Sequence, residues 1–293
     1  KMKAFRKLIY ITLLLIIIPA NGKSLEFNFN YFTFKNNNNI SYTEYYISFL
    51  STEINYKNQG NNLFQGSIRV KTLITRNDSI FQNDEYIFKT PLLVDTLNAH
   101  FFLDKQRIAL PKGTYKLNME FVDINSNNKF ITYQKSINIS LPNDSLCISD
   151  IMILDKYKQT TTTNILEKHG YDLTPIIPKG DYFFNESDTI LSFYVEWYKT
   201  ELDSLTRSGY LLNYYIEEEQ SHKPISDFNT TKRKTTSHQN AHIGGFDISN
   251  LPSGNFNLVV AILNKKGLPV TKKRVFFQRK NTRRILKNIN LND

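Results

Sequence analysis

The sequence predicts an all-β protein: two tandem immunoglobulin-like or fibronectin-like β-sandwich domains after a cleaved signal peptide. Three observations carry this. Apolar and polar residues alternate with period two along much of the chain, polar turn clusters cut that alternation into short runs, and a stretch of the first half returns in the second. A chain of 293 residues with 40% hydrophobic content has room for about two cores. Its aromatics, 21 Phe and 17 Tyr against a single Trp, favour pleated surfaces over helices.

From the N-terminus, Lys1, Lys3, Arg6 and Lys7 precede a continuous apolar run, Leu8 to Ile18, which Pro19 breaks ahead of Ala20-Asn21-Gly22. This is the layout of a secretory signal peptide, expected over residues 1–22. The run is shorter than the ~20 apolar residues that cross a bilayer, so no transmembrane span is expected in the mature chain. Strict alternation then appears in Glu26 to Tyr31, Ser67 to Leu73, Tyr115 to Phe121 and Phe256 to Ile262. Each run places one set of side chains on a core face and the other in water. Asn58 to Asn62, Asn125 to Asn128 and Asn264 to Gly267 read as turns between strands.

The internal repeat is the strongest organisational signal. Leu110-Pro111-Lys112-Gly113-Thr114-Tyr115-Lys116-Leu117 returns as Leu251-Pro252-Ser253-Gly254-Asn255-Phe256-Asn257-Leu258. At nearly the same offset, Ser67 to Ile74 falls on Gly209 to Ile216, and Ile54 to Lys57 falls beside Glu196 to Lys199. The three matches predict a duplicated domain in which Pro and Gly form a tight turn and the aromatic and Leu two apart share a core face. The turn-rich Leu141-Pro142-Asn143-Asp144 marks the boundary. Domain one is expected over 25–142, domain two over 146–280 and a basic tail over 281–293. Gln220 to His242 is expected to be a long, polar, mobile insertion between strands.

The net charge is +10, and part of it sits in the leader. The rest concentrates at Lys232, Arg233 and Lys234 and in a solvated terminal segment running from Lys272 through Arg284 to Lys287. An exported protein rarely meets nucleic acid, so none is expected as a partner. Cys147 is the only cysteine and cannot form an intramolecular disulfide. A chain stabilised by its cores alone fits a bacterial periplasm.

No residue set points to catalysis, and no cofactor or metal is expected. Cys147, flanked by Leu146 and Ile148, reads as a buried strand residue at the domain junction rather than a nucleophile. His222, His238 and His242 with Asp227 and Asp247 could form a metal cluster only if His238-x-x-x-His242 were helical, and that segment reads as a loop. Asp123, Asn125 and Asn127 lack the Gly and Glu of a calcium loop and read as a strand-connecting turn. Around Trp197, alternation puts Val195 and Trp197 on one face, in a core, and Tyr194, Glu196 and Tyr198 on the other. There is no Gly-x-Ser-x-Gly, no phosphate-binding loop and no motif of paired carboxylates, so the chain is not expected to be an enzyme.

Several stretches together resemble the N-terminal part of the GWxTD domain-containing proteins, envelope proteins of certain gram-negative bacteria. They are Tyr45-Tyr46-Ile47, Phe102-Leu103-Asp104 leading into Leu110 to Tyr115, Ser149-Asp150-Ile151, and Ile190 to Tyr198. The Gly-Trp-x-Thr-Asp motif itself is absent, and Trp197 follows Glu196. The resemblance implies a protein of the cell envelope, and tandem sandwiches with exposed edges and long polar loops lead to the expectation of a periplasmic or outer-membrane-associated interaction protein whose partners are other envelope or outer-membrane proteins. The alternative is a carbohydrate- or peptide-binding sandwich that uses Tyr and Phe clusters on a sheet face.

Overall fold

The computed structural model describes residues 25–126, 130–142 and 144–282. The expected signal peptide and all but two residues of the expected tail lie outside them, as does Asn127. No described helix is long and apolar enough to cross a membrane.

The first half contains β1 (Phe27–Lys35), β2 (Ser41–Leu50), β3 (Tyr56–Asn58), β4 (Phe64–Arg76), β5 (Ser79–Lys89), β6 (Phe101–Ile108), β7 (Gly113–Asp123) and β8 (Ile131–Ile139). The second contains β9 (Cys147–Ile148), β10 (Met152–Gln159), β11 (Glu167–Lys168), β12 (Tyr171–Pro175), β13 (Tyr182–Phe184), β14 (Ile190–Tyr198), β15 (Tyr210–Glu218), β16 (Pro224–Lys234), β17 (Gln239–Asp247), β18 (Gly254–Leu263) and β19 (Pro269–Arg279). All four alternating runs lie in strands, save Glu26, which precedes β1.

The strands form two sandwiches with one topology. In the first, the sheet β1-β2-β6 faces β5-β4-β7-β8, with β3 added to the start of β4. In the second, β10-β14-β17 faces β16-β15-β18-β19, extended by β11, β12, β9 and β13. This is a fibronectin-like arrangement, in which the fourth strand pairs with the third rather than with the fifth. The repeated motif preserves register. Ile74 pairs with Leu117 and Val70 with Phe121, as Ile216 pairs with Leu258 and Leu212 with Ile262. Tyr115 and Leu117 lie in the first core, Phe256 and Leu258 in the second. The third match does not hold. Ile54 to Lys57 leads through a turn into β3, which pairs with β4, whereas Glu196 to Lys199 ends β14 against β17.

The sandwiches pack face to face. The outer face of β1-β2 meets the outer face of β10-β12-β14, burying Phe32, Phe34, Tyr46, Met152, Leu154, Leu173 and Tyr194 in a third cluster. Four β layers therefore stack, and β2 and β14 are covered on both faces. Their burial is nearly continuous, not alternating, as expected for strands packed on two sides.

Two expectations in the second half are overturned. The supposed mobile insertion is a pair of strands, β16 and β17, joined by a short link; β17 supplies an edge to β14 from Ile190 to Tyr198. Its polar composition reflects two edge strands, each with one side in water. The solvated basic segment begins instead as β19, where Lys273 lies 2.6 Å from Asp150 and Arg274 3.1 Å from Glu217. The fold also passes the expected boundary: Asn281 is buried and donates from its side-chain nitrogen to the carbonyls of Ser249 and Leu251, each at 2.9 Å.

Candidate functional site

The equivalent strands β2 and β14 carry the same short pattern. Tyr42-Thr43-Glu44-Tyr45-Tyr46 and Tyr194-Val195-Glu196-Trp197-Tyr198 each centre a glutamate between tyrosines two residues away. Period two puts each Glu with its two tyrosines on the outer face, and the face-to-face packing brings the faces together. Glu44 and Glu196 are both wholly buried.

One lysine joins them. Lys168 Nζ lies 3.3 Å from Glu44 Oε1 and 3.2 Å from Glu196 Oε1, donates to the Tyr42 hydroxyl at 2.6 Å and stands 3.5 Å from the centre of the Phe34 ring. It comes from a segment with no counterpart in the first sandwich. There a short turn, residues 36–40, joins β1 to β2, whereas the equivalent β10 and β14 are separated by β11, β12 and β13. β11 and β12 form a hairpin closed by His169 and Gly170, with φ of 49° and 81°. Positive φ at both central residues is the turn that suits the strand twist, and Gly takes its place there without a side-chain clash. The hairpin holds Lys168 in the seam.

The rest of the network surrounds the two carboxylates. Lys105 Nζ is 3.1 Å and Arg107 Nη2 2.7 Å from Glu44 Oε1, both residues projecting from β6. The Tyr46 hydroxyl donates to Glu44 Oε2 at 3.0 Å. Glu196 accepts from Tyr194 at 2.6 Å, Tyr198 at 2.7 Å and Gln239 at 3.0 Å. Burial and the adjacent carboxylate push the phenols of Tyr194 and Tyr198 far up, keeping both as donors. Arg107, half exposed, and His169 line an open groove of about 720 Å³ above this seam, with Lys168 and Glu196 at its floor.

Burial alone would raise the Glu44 carboxyl; Lys168, Lys105 and Arg107 outweigh it and lower it to about 2. A carboxyl held below its unfolded value of 4.5 stabilises the fold above that pH, and the contribution is lost as pH falls from about 4.5 to about 2. The expected loss is roughly 3 kcal/mol. His242 is lowered to about 4 by burial first and then by Lys232 and Lys234, so its loss begins earlier, as pH falls below 6.5. Urea unfolding across this range should therefore show a two-part decline, and Glu44→Gln should flatten the lower part only. An unchanged lower part in that variant would contradict the assignment.

The residues weighed as nucleophile, metal cluster and calcium loop are not brought together into a site. Cys147 is buried in β9 opposite Tyr198, and burial pushes its thiol up. His238 contacts Glu201 at 3.0 Å and His222 contacts Glu217 at 3.2 Å. His242 lies in β17 against Phe193 and Tyr214. Four positions of extended chain span roughly 13 Å, so His238 and His242 cannot share a metal ion, and no group of metal-binding side chains occurs among the described residues. Asp123 organises its turn by accepting from Asn55 N at 2.7 Å and Asn125 N at 3.0 Å. Trp197 fills the second core and donates to the Tyr210 hydroxyl at 2.7 Å. Tyr194 and Tyr198, on the opposite face of β14 from Trp197, are buried in the seam.

No family model matches the chain, and no curated protein matches it. Among solved structures, the crystal structure of red sea bream transglutaminase aligns with 88% of this chain at 10% identity and a TM-score of 0.23. The chain spans 31% of the length of that structure. A likeness this weak carries no argument about activity.

Proposed function

We propose that the protein is a non-enzymatic interaction scaffold exported to a gram-negative cell envelope, working in an outer-membrane-associated assembly. The supporting observation is the seam. Sandwiches joined only by a linker move relative to one another; here Lys168 ties equivalent strands of both through buried carboxylates. Each end of the four-layer stack thus presents loops at a fixed spacing, which favours multipoint docking of partners. The signal-peptide pattern and the resemblance to GWxTD proteins supply the location.

Crosslinking in intact envelopes, gentle solubilisation and affinity recovery of the tagged protein test this reading. The expected result is one or more outer-membrane proteins in fixed proportion, crosslinked to the loop ends. Recovery of the protein alone, folded and soluble, would overturn it in favour of a glycan- or peptide-binding module. That second reading is favoured by Phe101, 61% exposed, beside His100 over a hollow of about 390 Å³.

A further inference from the structure

A separate hollow of about 440 Å³ lies at one end of the second sandwich, lined by Ser208, Gly209, Arg233, Lys234, Thr235 and Lys265, with Tyr210 and Leu211 behind them. Three connections meet there: residues 199–209 between β14 and β15, 235–238 between β16 and β17, and 264–268 between β18 and β19. Immunoglobulin-type sandwiches cluster their binding loops at such an end.

The charge at this hollow is uncompensated. Its lining holds three cations and no carboxylate, and none of the three forms an ion pair among the described residues. Lys232, over the Tyr214 ring, and Lys234 help to hold the neighbouring His242 neutral. The loops are also tied in place. The Thr206 hydroxyl donates to the Thr200 carbonyl at 2.7 Å, the Thr200 hydroxyl donates to the Ser237 carbonyl at 2.8 Å, and the Asn264 side chain accepts from the amides of Lys266 and Leu268. A positive pocket on ordered loops loses little entropy when it takes an anion.

We propose that this pocket binds a phosphoryl group carried on a small polar molecule or headgroup. Arg233 at the end of β16 and Lys265 in the β18–β19 turn approach from different elements, which suits a tetrahedral dianion that accepts from several directions. A carboxylate is better met by one planar guanidinium fork. The hydroxyls of Ser208 and Thr235 are neutral donors at the rim. The volume exceeds that of a bare ion and matches a sugar-sized group attached to the phosphate. The site is independent of the seam and of the scaffold reading.

The test is calorimetric titration of the full chain with a hexose phosphate and with the unphosphorylated hexose, alongside co-sedimentation with phosphatidylcholine vesicles with and without phosphatidic acid. Binding of the hexose phosphate but not the hexose is expected. It should weaken about a hundredfold in Arg233→Gln/Lys265→Gln, which removes two charge-assisted contacts worth about tenfold each. Both side chains are exposed, so thermal unfolding of the variant should match that of the parent. Sedimentation only with phosphatidic acid, lost in the double variant, would place the phosphoryl group on a lipid. Failure of both probes to bind, or undiminished binding in the double variant, would overturn the site.

Discussion

Lys168→Met is expected to cost about 3–5 kcal/mol, because it removes the cation of a buried ionic network while leaving the carboxylates in place. The loss falls mainly on Glu196. Glu44 keeps Lys105 and Arg107, whereas Glu196 is left with two phenols, one amide and His169 at 3.7 Å. Met retains most of the side-chain volume, so a cavity would not account for the effect. Lys168→Met/Glu196→Gln should recover much of it, since an uncharged amide needs no buried counter-ion. The single tryptophan lies in the second sandwich, so its fluorescence reports that half while circular dichroism reports both. The two denaturant transitions should coincide in the parent and separate in Lys168→Met. A cost under about 1 kcal/mol, the scale of an exposed pair, would show that the charges do not hold the sandwiches together.

Trp197→Ala should cost about 3–5 kcal/mol, the range for removing a large aromatic from a core. Trp197 is fully buried among Ile148, Val195, Tyr210 and Leu212, and its indole nitrogen satisfies the Tyr210 hydroxyl. Trp197→Phe keeps much of the packing and loses that hydrogen bond, so it should cost less, about 1–3 kcal/mol. Denaturant midpoints read by circular dichroism distinguish the two. Near-equal losses in both variants would mean that the hydrogen bond dominates over packing.

Trp197 and its neighbour Glu196 share one sequence feature, and only Trp197 was legible from it. Period two assigns Trp197 to a core and Glu196 to the opposite face, which alternation alone reads as solvent. Glu196 is buried because a second sheet covers that face, and the covering residues come from β1, β2 and β11, far away in sequence. A cue did exist: β2 and β14 are apolar or aromatic on both faces, the pattern of strands buried on two sides, and a glutamate flanked by tyrosines at ±2 recurs in both. Lys168 offered no cue. It stands in a polar two-residue strand, and its role depends on a hairpin folding across the seam. The polar stretch from Gln220 to His242 misled for a related reason: edge strands need little apolar patterning when one side and one edge face water.

The sequence by itself determined the all-β class, the duplicated strand pattern around Leu110 and Leu251, the inward face of Trp197 and the burial of Cys147 in a strand. These follow from local rules: a two-residue side-chain period, turn chemistry and apolar flanks. Only the tertiary structure decided that the sandwiches stack face to face, that Glu44 and Glu196 share one lysine, and that Arg233 and Lys265 line a single pocket. Each depends on which distant surface covers a strand or which loops meet at a sheet end, and short-range pattern carries no information about contacts closed across such separations.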